Sequence, residues 1–473
     1  MSWYLIYNIS EWVIRLVMLP VVTSRRKPDT AMAWLLVIFF LPVVGLVLFL
    51  AFGSRRLPWT WWRQERILAD RLESEARRFA GHPNIIHPQV DPPLESTVTM
   101  AERLGHFPIL GGNKVEFLND TQEVVDRLAA DIHSARHHVH LLFYVFRDDK
   151  TGEQIIEALA DAVKRGVKCR VMIDAVGSWS SLRSLTWRMQ SAGIEIVQTL
   201  PVGIFRRKMA RIDVRNHRKL AVVDGTISYM GSQNIVNADY GHKDLAWHDL
   251  MVRLTGPITI EIQAIFASDW HQETNELISG PEIFPEPHAF GEVAAQTLPS
   301  GPSYPVENYQ RLVVSAIHGA RHRVIITTPY FVPDEPLLQA IQVAVLRGVE
   351  VDLIVPSRCD QIIVGAAARA YYEDVLDVGA RLHLYPKGLL HSKTMTVDDS
   401  IALIGSSNFD IRSFAINLEL NMLLYGPEVT SRLRYEQTAY LADSQQLDLE
   451  SWRSRSRVRR MLDNIARLMS PLL

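Results

Sequence analysis

The chain has 473 residues, 48% of them hydrophobic and 22% charged, and its 50 Lys and Arg are nearly balanced by 52 Asp and Glu. This length and composition fit a folded protein of several domains and exclude collagen-like, coiled-coil and intrinsically disordered classes. The formal net charge of -2 argues against a nucleic-acid-binding protein, and two cysteines, Cys169 and Cys359, are too few for a disulfide framework.

The first strongly apolar segment covers residues 31–52, which are 22 consecutive residues without a charge. One helix of that length spans about 33 Å, enough to cross a hydrocarbon core of about 30 Å. Pro42 and Gly45 do not weaken this prediction, because both residue types are common in membrane helices. We therefore predict a transmembrane helix here.

The preceding segment, residues 3–22, is also apolar but contains Glu11 and Arg15 one helical turn apart. It is either a second span whose ion pair faces a partner helix, or an amphipathic helix in the interface. We expect a helical hairpin and assign residues 1–56 to a membrane anchor of one or two transmembrane helices. Residues 57–109 are then an interfacial connector.

Basic residues flank the apolar segments on both sides, at positions 25–27 and at Arg55, Arg56, Arg63 and Arg66. The second cluster is slightly larger, so the positive-inside rule favours a cytoplasmic main body. Tryptophans at 59, 61 and 62 resemble an interfacial aromatic belt.

The rest of the chain is a duplication. Beyond a polar connector around residues 91–99, short β-rich runs alternate with helical stretches, as in α/β proteins. The segment IHSARHHV at 132–139 returns as IHGARHRV at 317–324, and each copy leads into a predicted strand. A second repeat has the sequence AVKRGV in the first half and AVLRGV in the second. Each copy ends a predicted helix at a glycine C-cap.

A third repeat carries the chemistry. The pattern HxKx4Dx6GSxN occurs once in each half, and such a match in register with an independent repeat is a strong signal. The first copy supplies His217, Lys219, Asp224, Ser232 and Asn234. The second supplies His391, Lys393, Asp398, Ser406 and Asn408.

On a strand, residues i and i+2 share a face, so each histidine points the same way as its lysine. Two such units in one cleft fit phosphoryl transfer without a metal or cofactor. Lysine and amide donors would hold the phosphate oxygens, one imidazole would attack phosphorus, and the other would protonate the leaving alkoxide. Asp224 and Asp398 fit either this chemistry or a turn equally well.

The doubled motif is similar to the phospholipase D superfamily over residues from about 110 to 425. Within that superfamily the nearer resemblance is to bacterial cardiolipin synthases. It is based on the sequences PYFVPDE at 329–335 and GSSNFDIRS at 405–413 and on the amino-terminal apolar segments. The resemblance implies an α/β fold of two phospholipase D-like repeats, each a mixed β-sheet flanked by helices, forming one pseudo-twofold body. We place the repeats at 110–290 and 291–473.

The resemblance implies transfer of a phosphatidyl group between two phosphatidylglycerol molecules, giving cardiolipin and glycerol through a phosphatidyl-histidine. His217 is our choice of nucleophile and His391 of general acid and base, although the symmetry of the motifs allows the reverse. Lys219, Lys393, Asn234 and Asn408 would bind phosphate, with Ser232 and Ser406 nearby. The family also places a bracing acid downstream of each histidine. Glu419 fits that place in the second half and Asp249 in the first, although Asp249 departs in residue type and lies further from its motif.

Two basic and apolar segments favour contact with an anionic membrane surface. These are residues 202–211 and the carboxyl-terminal residues 452–473, which are predicted to form a basic amphipathic helix that lies on lipid or docks on the domain. A solvated basic loop is an equally good interpretation of residues 202–211.

The predicted location is the bacterial cytoplasmic (inner) membrane, with a multi-pass anchor and the catalytic body on the cytoplasmic side. The alternatives are a hydrolytic phospholipase D that releases phosphatidic acid and a non-catalytic membrane scaffold. A nuclease of the same superfamily is disfavoured by the apolar anchor and the balanced charge. The sequence leaves open a homo-oligomer and phosphatidylethanolamine as a donor.

Overall fold

The computed structural model describes residues 3–24, 28–53, 82–201, 213–241, 245–304, 306–468 and 470. The chain forms two compact units, residues 1–60 with 202–214, and residues 61–201 with 215–473. Several predictions fall outside the described residues: the basic clusters at 25–27 and 55–66, the tryptophans at 59–62 and the basic segment 202–211.

The amino-terminal unit consists of α1 (Trp3–Thr23), α2 (Pro28–Phe40), α3 (Pro42–Leu48) and a π-helical turn (Phe49–Gly53). Within the described residues, α1 is the helix that is long and apolar enough to cross a membrane.

The prediction of one continuous helix over residues 31–52 is wrong. The chain leaves helical geometry at Leu41, with φ -135° and ψ 72°, and Pro42 begins a new helix. Proline has no backbone N–H to continue the hydrogen-bond ladder, and it disfavours helical geometry in the residue before it. The break therefore follows from Pro42.

Helix α3 folds back along α2. The rings of Trp34 and Phe49 lie 5.4 Å apart, edge to face, whereas a straight helix would separate the two residues by about 22 Å. A Cβ atom on Gly45 would lie 2.8 Å from Cα of Ile38, so glycine permits the close approach of the two helices. A small apolar core unites this pair with α1 and includes Met18, Val22, Ala31, Ile38 and Phe49.

The larger unit is built on a mixed sheet of fifteen strands in the order β19-β13-β12-β10-β15-β16-β18-β9-β1-β8-β6-β5-β2-β3-β4. The first half contributes β1 (Leu110–Leu118), β2 (His138–Phe143), β3 (Lys168–Asp174), β4 (Glu195–Thr199), β5 (Lys219–Val223), β6 (Ile227–Gly231) and β8 (Met251–Thr255). Its helices are α5 (Thr121–Ser134), α6 (Lys150–Lys164), α7 (Leu182–Ser191) and α8 (Thr259–Thr274).

The second half repeats this order. Its strands are β9 (Val293–Ser300), β10 (Arg323–Thr327), β12 (Glu350–Pro356), β13 (Arg381–Tyr385), β15 (Thr394–Val397), β16 (Ile401–Gly405), β18 (Glu419–Tyr425) and the edge strand β19 (Gln445–Gln446). Its helices are α9 (Asn308–Gly319), α10 (Glu335–Leu346), α11 (Ile362–Asp377), α12 (Ile411–Ala415) and α13 (Pro427–Asp443). Two-residue strands lie outside the main sheet: β7 (Trp247–His248) pairs with β14 (Leu389–Leu390), and β11 (Phe331–Val332) with β17 (Phe409–Asp410).

The halves meet where β1 pairs antiparallel with β9 in the middle of the sheet. Outward from this pair, β1-β8-β6-β5-β2-β3-β4 corresponds to β9-β18-β16-β15-β10-β12-β13. The predicted α/β class and the two phospholipase D-like repeats are therefore confirmed. Gly166 and Gly348, the predicted helix-ending glycines, have φ of 90° and 86°, the left-handed geometry that a helix C-terminus requires.

Part of the predicted connector belongs to the body. Residues 95–105 form helix α4 (Glu95–Gly105), preceded by a 3-10 turn (Pro92–Leu94). Leu94, Val98 and Ala101 are buried in the core of the second half. At the other end, α14 (Leu449–Arg453) and α15 (Arg457–Arg467) complete the described chain.

Candidate active site

The two HxK segments lie at the starts of strands: the first runs into its strand and the second directly precedes its strand. Lys219 is the first residue of β5, and His391 and Lys393 precede β15. In both copies the lysine Nζ donates a hydrogen bond to the carbonyl oxygen of its own motif histidine, at 2.5 Å. Each lysine therefore lies beside its histidine, as the spacing predicts.

The backbone of each histidine is fixed by the opposite half. The N–H of His217 donates to the carbonyl oxygen of Leu418 at 2.8 Å, and the N–H of His391 donates to that of His248 at 2.8 Å. Leu418 and His248 each directly precede a predicted bracing acid. These hydrogen bonds carry each histidine to the acid of the other repeat.

The histidine–acid pairs accordingly cross between the halves. His217 Nδ1 lies 3.0 Å from both carboxylate oxygens of Glu419, and His391 Nδ1 lies 2.6 Å from Oδ1 of Asp249. Chain order suggests the opposite pairing, of each histidine with the acid downstream in its own half. A proton on each Nδ1 leaves Nε2 as the basic nitrogen of both imidazoles.

The motif serines are placed differently from expectation. Ser232 Oγ donates to Asp249 Oδ1 at 2.6 Å, and Ser406 Oγ donates to Glu419 Oε2 at 2.5 Å. Each hydroxyl also accepts the backbone N–H of the residue after its acid. Because both serines are fully buried and have committed their only proton, they hold the acids and are not phosphate ligands.

Burial keeps both imidazoles neutral. It lowers the pKa of His217 to about 4 against the opposing effect of Glu419, and it lowers the pKa of His391 to about 4 with a further contribution from Lys393. The side chain of His217 is 12% exposed and that of His391 is 5% exposed. Each imidazole also senses the lysine of the opposite half, so all four side chains share one site.

The acids behind the histidines are ionised. Burial alone would raise the pKa of Asp249, but His391 outweighs it and the pKa falls to about 2. The pKa of Glu419 is also lowered, because His217 and Lys219 outweigh its burial. Each carboxylate can therefore stabilise an imidazolium that forms during a reaction.

Both lysines are easier to deprotonate than usual. Burial lowers the pKa of Lys219 to about 7, although Glu419 and Asp249 oppose the shift. Burial also lowers the pKa of Lys393 well below its usual value, and Lys219 adds to this effect. An anion bound between the two ammonium groups would restore their pKa values, because opposite charge favours the charged form.

The motif asparagines are both buried in the larger unit. Asn234 uses its Oδ1 to accept the N–H of Val145 at 3.0 Å, which leaves its amide donors unused by the described residues. Asn408 lies beside Asp410, whose pKa burial raises to about 6. Their assignment to phosphate stays a prediction.

The motif aspartates are structural, which corrects their place among the catalytic residues. Asp224 accepts three backbone N–H groups at 2.8–2.9 Å, from Arg136, His137 and His138. Asp398 accepts three at 2.8 Å, from residues 321–323. Both occupy left-handed turns at the far end of their strands from the histidines, with φ of 51° and 47°. The two sequence repeats, IHxARHxV and HxKx4D, are thus joined by these hydrogen bonds, which connect neighbouring strands.

Two aromatic residues that sequence reasoning missed contact the histidines. Tyr144 lies edge to face with His217, with ring centroids 4.8 Å apart, and Trp247 lies likewise against His391 at 4.6 Å. Trp247 is close in sequence to Asp249, and Tyr144 directly follows β2, so proximity to predicted elements was the available signal. Lys219 also lies over the Tyr144 ring, 5.3 Å from its centroid.

A buried ion pair and two hydrogen bonds, also missed, fix the segment that carries His217. Arg218 Nη1 donates to both carboxylate oxygens of Asp269 at 2.5 and 2.6 Å, and Asn216 Nδ2 donates to the same carboxylate. The N–H of Asn216 donates to Asp174 at 3.1 Å. Both neighbours of His217 are therefore held from the first half.

Among the described residues, no group of three or more His, Cys, Asp or Glu side chains is arranged to hold a metal ion. The site instead offers two nucleophilic imidazoles, two cations and two carboxylates. Such a set supports covalent transfer of a phosphoryl group through histidine. The fold and site define a phospholipase D-like enzyme with a composite active site.

Comparison with known proteins also indicates a phospholipase D-like enzyme. The family described as "Cardiolipin synthase, PLD-like domain" matches residues 128–270 and 313–438, and the phospholipase D-nuclease N-terminal family matches residues 12–54. Cardiolipin synthase A of Proteus mirabilis strain HI4320 is 36% identical over 96% of this chain and 95% of its own length. That of Serratia proteamaculans strain 568 is 35% identical over 100% of this chain and 98% of its own length.

The fold is also that of a solved structure, the phosphatidylserine synthase of Haemophilus influenzae Rd KW20. It superposes with a TM-score of 0.62 at 15% identity, over 80% of this chain and 100% of that chain. The chain belongs to the cardiolipin synthase family.

Proposed function

We propose that the protein is a cardiolipin synthase that uses two molecules of phosphatidylglycerol. The observation that carries the proposal is the reciprocal pairing His217–Glu419 and His391–Asp249, which equips one site with two equivalent acid-backed imidazoles. Membership of the cardiolipin synthase family supplies the substrate class.

In the first step, Nε2 of His217 attacks the phosphorus of one phosphatidylglycerol. The bond from phosphorus to the headgroup glycerol oxygen breaks, and that oxygen takes a proton from His391. The products are free glycerol and a phosphatidyl group on His217. The greater exposed fraction of His217, 12% against 5%, favours it as the group that reaches phosphorus.

In the second step, His391 is the base. It removes the proton from a headgroup hydroxyl of a second phosphatidylglycerol, whose oxygen attacks phosphorus and displaces His217. This restores the starting protonation states and forms cardiolipin. One residue serves both steps because the acid of the first half-reaction is the base of its reverse.

His391 must be protonated for the first step, although burial lowers its pKa in the empty site to about 4. A bound phosphodiester supplies negative charge that favours the imidazolium, and Asp249 stabilises it from the other side. Lys219, Lys393 and the amide groups of Asn234 and Asn408 are proposed to hold the phosphate oxygens.

We further propose that the protein resides in the bacterial cytoplasmic membrane with its catalytic body on the cytoplasmic side. The apolar helix α1 and the match of residues 12–54 to an amino-terminal family domain support membrane attachment. Both substrates then reach the site from the bilayer.

The test is to incubate the purified full-length protein with phosphatidylglycerol alone in mixed micelles and to resolve the products. Cardiolipin and glycerol in equal amounts are expected. Phosphatidic acid as the main product would show that water takes the second step and that the protein is a hydrolase. Absence of turnover with phosphatidylglycerol would overturn the proposed substrate.

A further inference from the structure

Helix α15 (Arg457–Arg467) docks on the body through its polar side. Asp463 of this helix is buried on the side that faces the body. Its carboxylate pairs with the guanidinium groups of Arg369 of α11 at 3.0 Å and of Arg455 at 2.9 Å. Arg460 pairs with Glu373 of α11 at 3.2 Å. Docking through ion pairs is the reverse of an ordinary surface helix, which packs its apolar stripe on the core.

The apolar side of α15 consequently faces outward. Five large apolar side chains share an arc of about 120° on the helix, from the 100° step per residue. Each is between 52% and 80% exposed: Val458, Met461, Leu462, Ile465 and Leu468. Met469, which the sequence pattern adds to this stripe, lies outside the described residues.

Cations border this stripe. By the same 100° step, the exposed Arg457 and Arg459 flank the stripe on its two sides. Arg467 lies on the docked side, where it pairs with Asp374 at 2.9 Å. An apolar face rimmed by arginines is complementary to a bilayer surface that contains anionic lipid, because the stripe enters the acyl boundary while the cations meet phosphates.

We propose that α15 is an interfacial membrane helix, held rigidly on the catalytic body and inserted by its outer face into an anionic lipid leaflet. The ion pairs to α11 fix the orientation of the helix, so the body meets the membrane at a defined face. The proposal concerns binding and does not depend on the reaction that the protein catalyses.

The experiment attaches an environment-sensitive fluorophore to a cysteine at Leu462 (Leu462→Cys) in the full-length protein, with both native cysteines replaced by serine. Reconstituted in bilayers rich in phosphatidylglycerol, the probe is expected to shift to the blue relative to detergent and to be quenched by lipids spin-labelled in the acyl chain. Arg459→Cys, exposed on the same helix but outside the stripe, is the matched control and should be quenched less.

Equal quenching at the two positions, or none at Leu462, would overturn the proposal. Energy transfer between labelled copies that rises with the ratio of protein to lipid, without lipid quenching, would mean that a second copy covers the stripe and would also overturn it.

A second inference rests on the amino-terminal unit. The tip between α2 and α3 reaches only the middle of α1, where Arg15 Nε donates to the carbonyl oxygen of Phe39 at 3.1 Å. That carbonyl belongs to the last turn of α2, whose carbonyls have no partner further along the same helix. Arg15 is in turn paired with Glu11 at 3.2 Å. Broken helices persist at membrane depth only where such backbone groups are satisfied, which explains an ion pair in an apolar helix.

We infer that α1 crosses the bilayer and that α2 and α3 form a re-entrant pair, entering and leaving on one face. This replaces the two-crossing hairpin expected from sequence.

Serines at three positions allow a conservative test: Ser2→Cys, Ser24→Cys and Ser54→Cys, each alone in the cysteine-free background. A membrane-impermeant maleimide is applied to spheroplasts and to inverted membrane vesicles, and labelling is normalised to that in detergent. Positions 24 and 54 are expected to react from one face and position 2 from the other. Reaction of positions 24 and 54 from opposite faces, or of all three from one face, would overturn the inference.

Discussion

His217 and Glu419 are 202 positions apart in the chain, yet the imidazole Nδ1 lies 3.0 Å from both oxygens of the carboxylate. His391 and Asp249 repeat the relationship in reverse, at 2.6 Å. Neither half of the duplicated body therefore contains a complete histidine–acid pair. The duplication produces one active site, because each repeat completes the other.

The crossed pairs predict different defects for two matched substitutions. Glu419→Gln and Asp249→Asn should each lower kcat by about 10²–10⁴-fold, the usual contribution of positioned acid–base groups. With a phosphatidyl donor whose leaving group is p-nitrophenolate, which needs no proton, Asp249→Asn should recover a rapid burst of product. Glu419→Gln should not, because its defect lies at the nucleophile.

The readout is the amplitude and rate of p-nitrophenolate release, with thermal unfolding as the control for folding of both variants. If Glu419→Gln shows the burst and Asp249→Asn does not, the roles of His217 and His391 are reversed. Equal behaviour of the two variants would contradict a division of roles.

The kcat/KM of the enzyme should decline in two stages as the pH rises. The first is loss of the proton on His391, whose pKa burial lowers to about 4 in the free enzyme. Burial lowers the pKa of His217 to about 4, so the nucleophile becomes protonated only when the pH falls below about 4. Burial lowers the pKa of Lys219 to about 7, so the phosphate-binding charge is lost as the pH rises through that value. Lys219→Arg should abolish the second decline, near pH 7, because arginine keeps its charge. An unchanged decline near pH 7 in that variant would exclude Lys219 as its cause.

Ser406→Ala should impair turnover without weakening substrate binding. It removes the hydroxyl that donates to Glu419 and accepts the N–H of Leu420. Loss of a buried hydrogen bond to a charged group, worth about 1.5–3 kcal/mol, corresponds to a fall in kcat of roughly 10–150-fold. Steady-state kinetics with phosphatidylglycerol should show an unchanged KM. A raised KM at normal kcat would mean that the serine binds phosphate after all.

The adjacent Ser407→Ala is the matched control. Ser407 is equally buried, but its hydroxyl accepts from Asn421 and does not contact an acid. It should leave kcat close to that of the unsubstituted protein.

Asp224→Asn should cost stability and spare the chemistry. Asparagine tolerates the left-handed turn but cannot accept three backbone N–H groups as a carboxylate does. We expect a loss of about 1–3 kcal/mol in the free energy of unfolding, seen as a lower Tm, with unchanged kcat per folded molecule. Normal Tm with a large loss of kcat would return Asp224 to the catalytic residues.

The two repeats could be predicted from local sequence patterns, because strand alternation, glycine C-caps and the HxK spacing are all short-range signals. Gly166 and Gly348 end their helices as predicted, and Lys219 lies beside His217. The crossing of the acids could not be predicted, since it depends on backbone pairing of His217 with Leu418 and of His391 with His248 across the two halves.

The positions of the motif serines and aspartates could not be predicted for the same reason, because they depend on contacts with distant parts of the chain. Motif membership suggested that all polar members face the substrate, but Ser406 and Asp398 spend their hydrogen-bonding capacity inside the fold. Residues 31–52 were predicted as one span from hydropathy alone, which does not register the break that Pro42 imposes on the backbone.

The strongest test of the mechanism is to identify the histidine that carries the phosphatidyl group. The Asp249→Asn variant, mixed with the p-nitrophenyl donor and quenched in alkaline denaturant, should accumulate the intermediate because His391 no longer serves the second step. Peptide mass spectrometry should find the phosphatidyl group on His217 and none on His391. A modified His391, or a burst of p-nitrophenolate without any modified histidine, would contradict the mechanism.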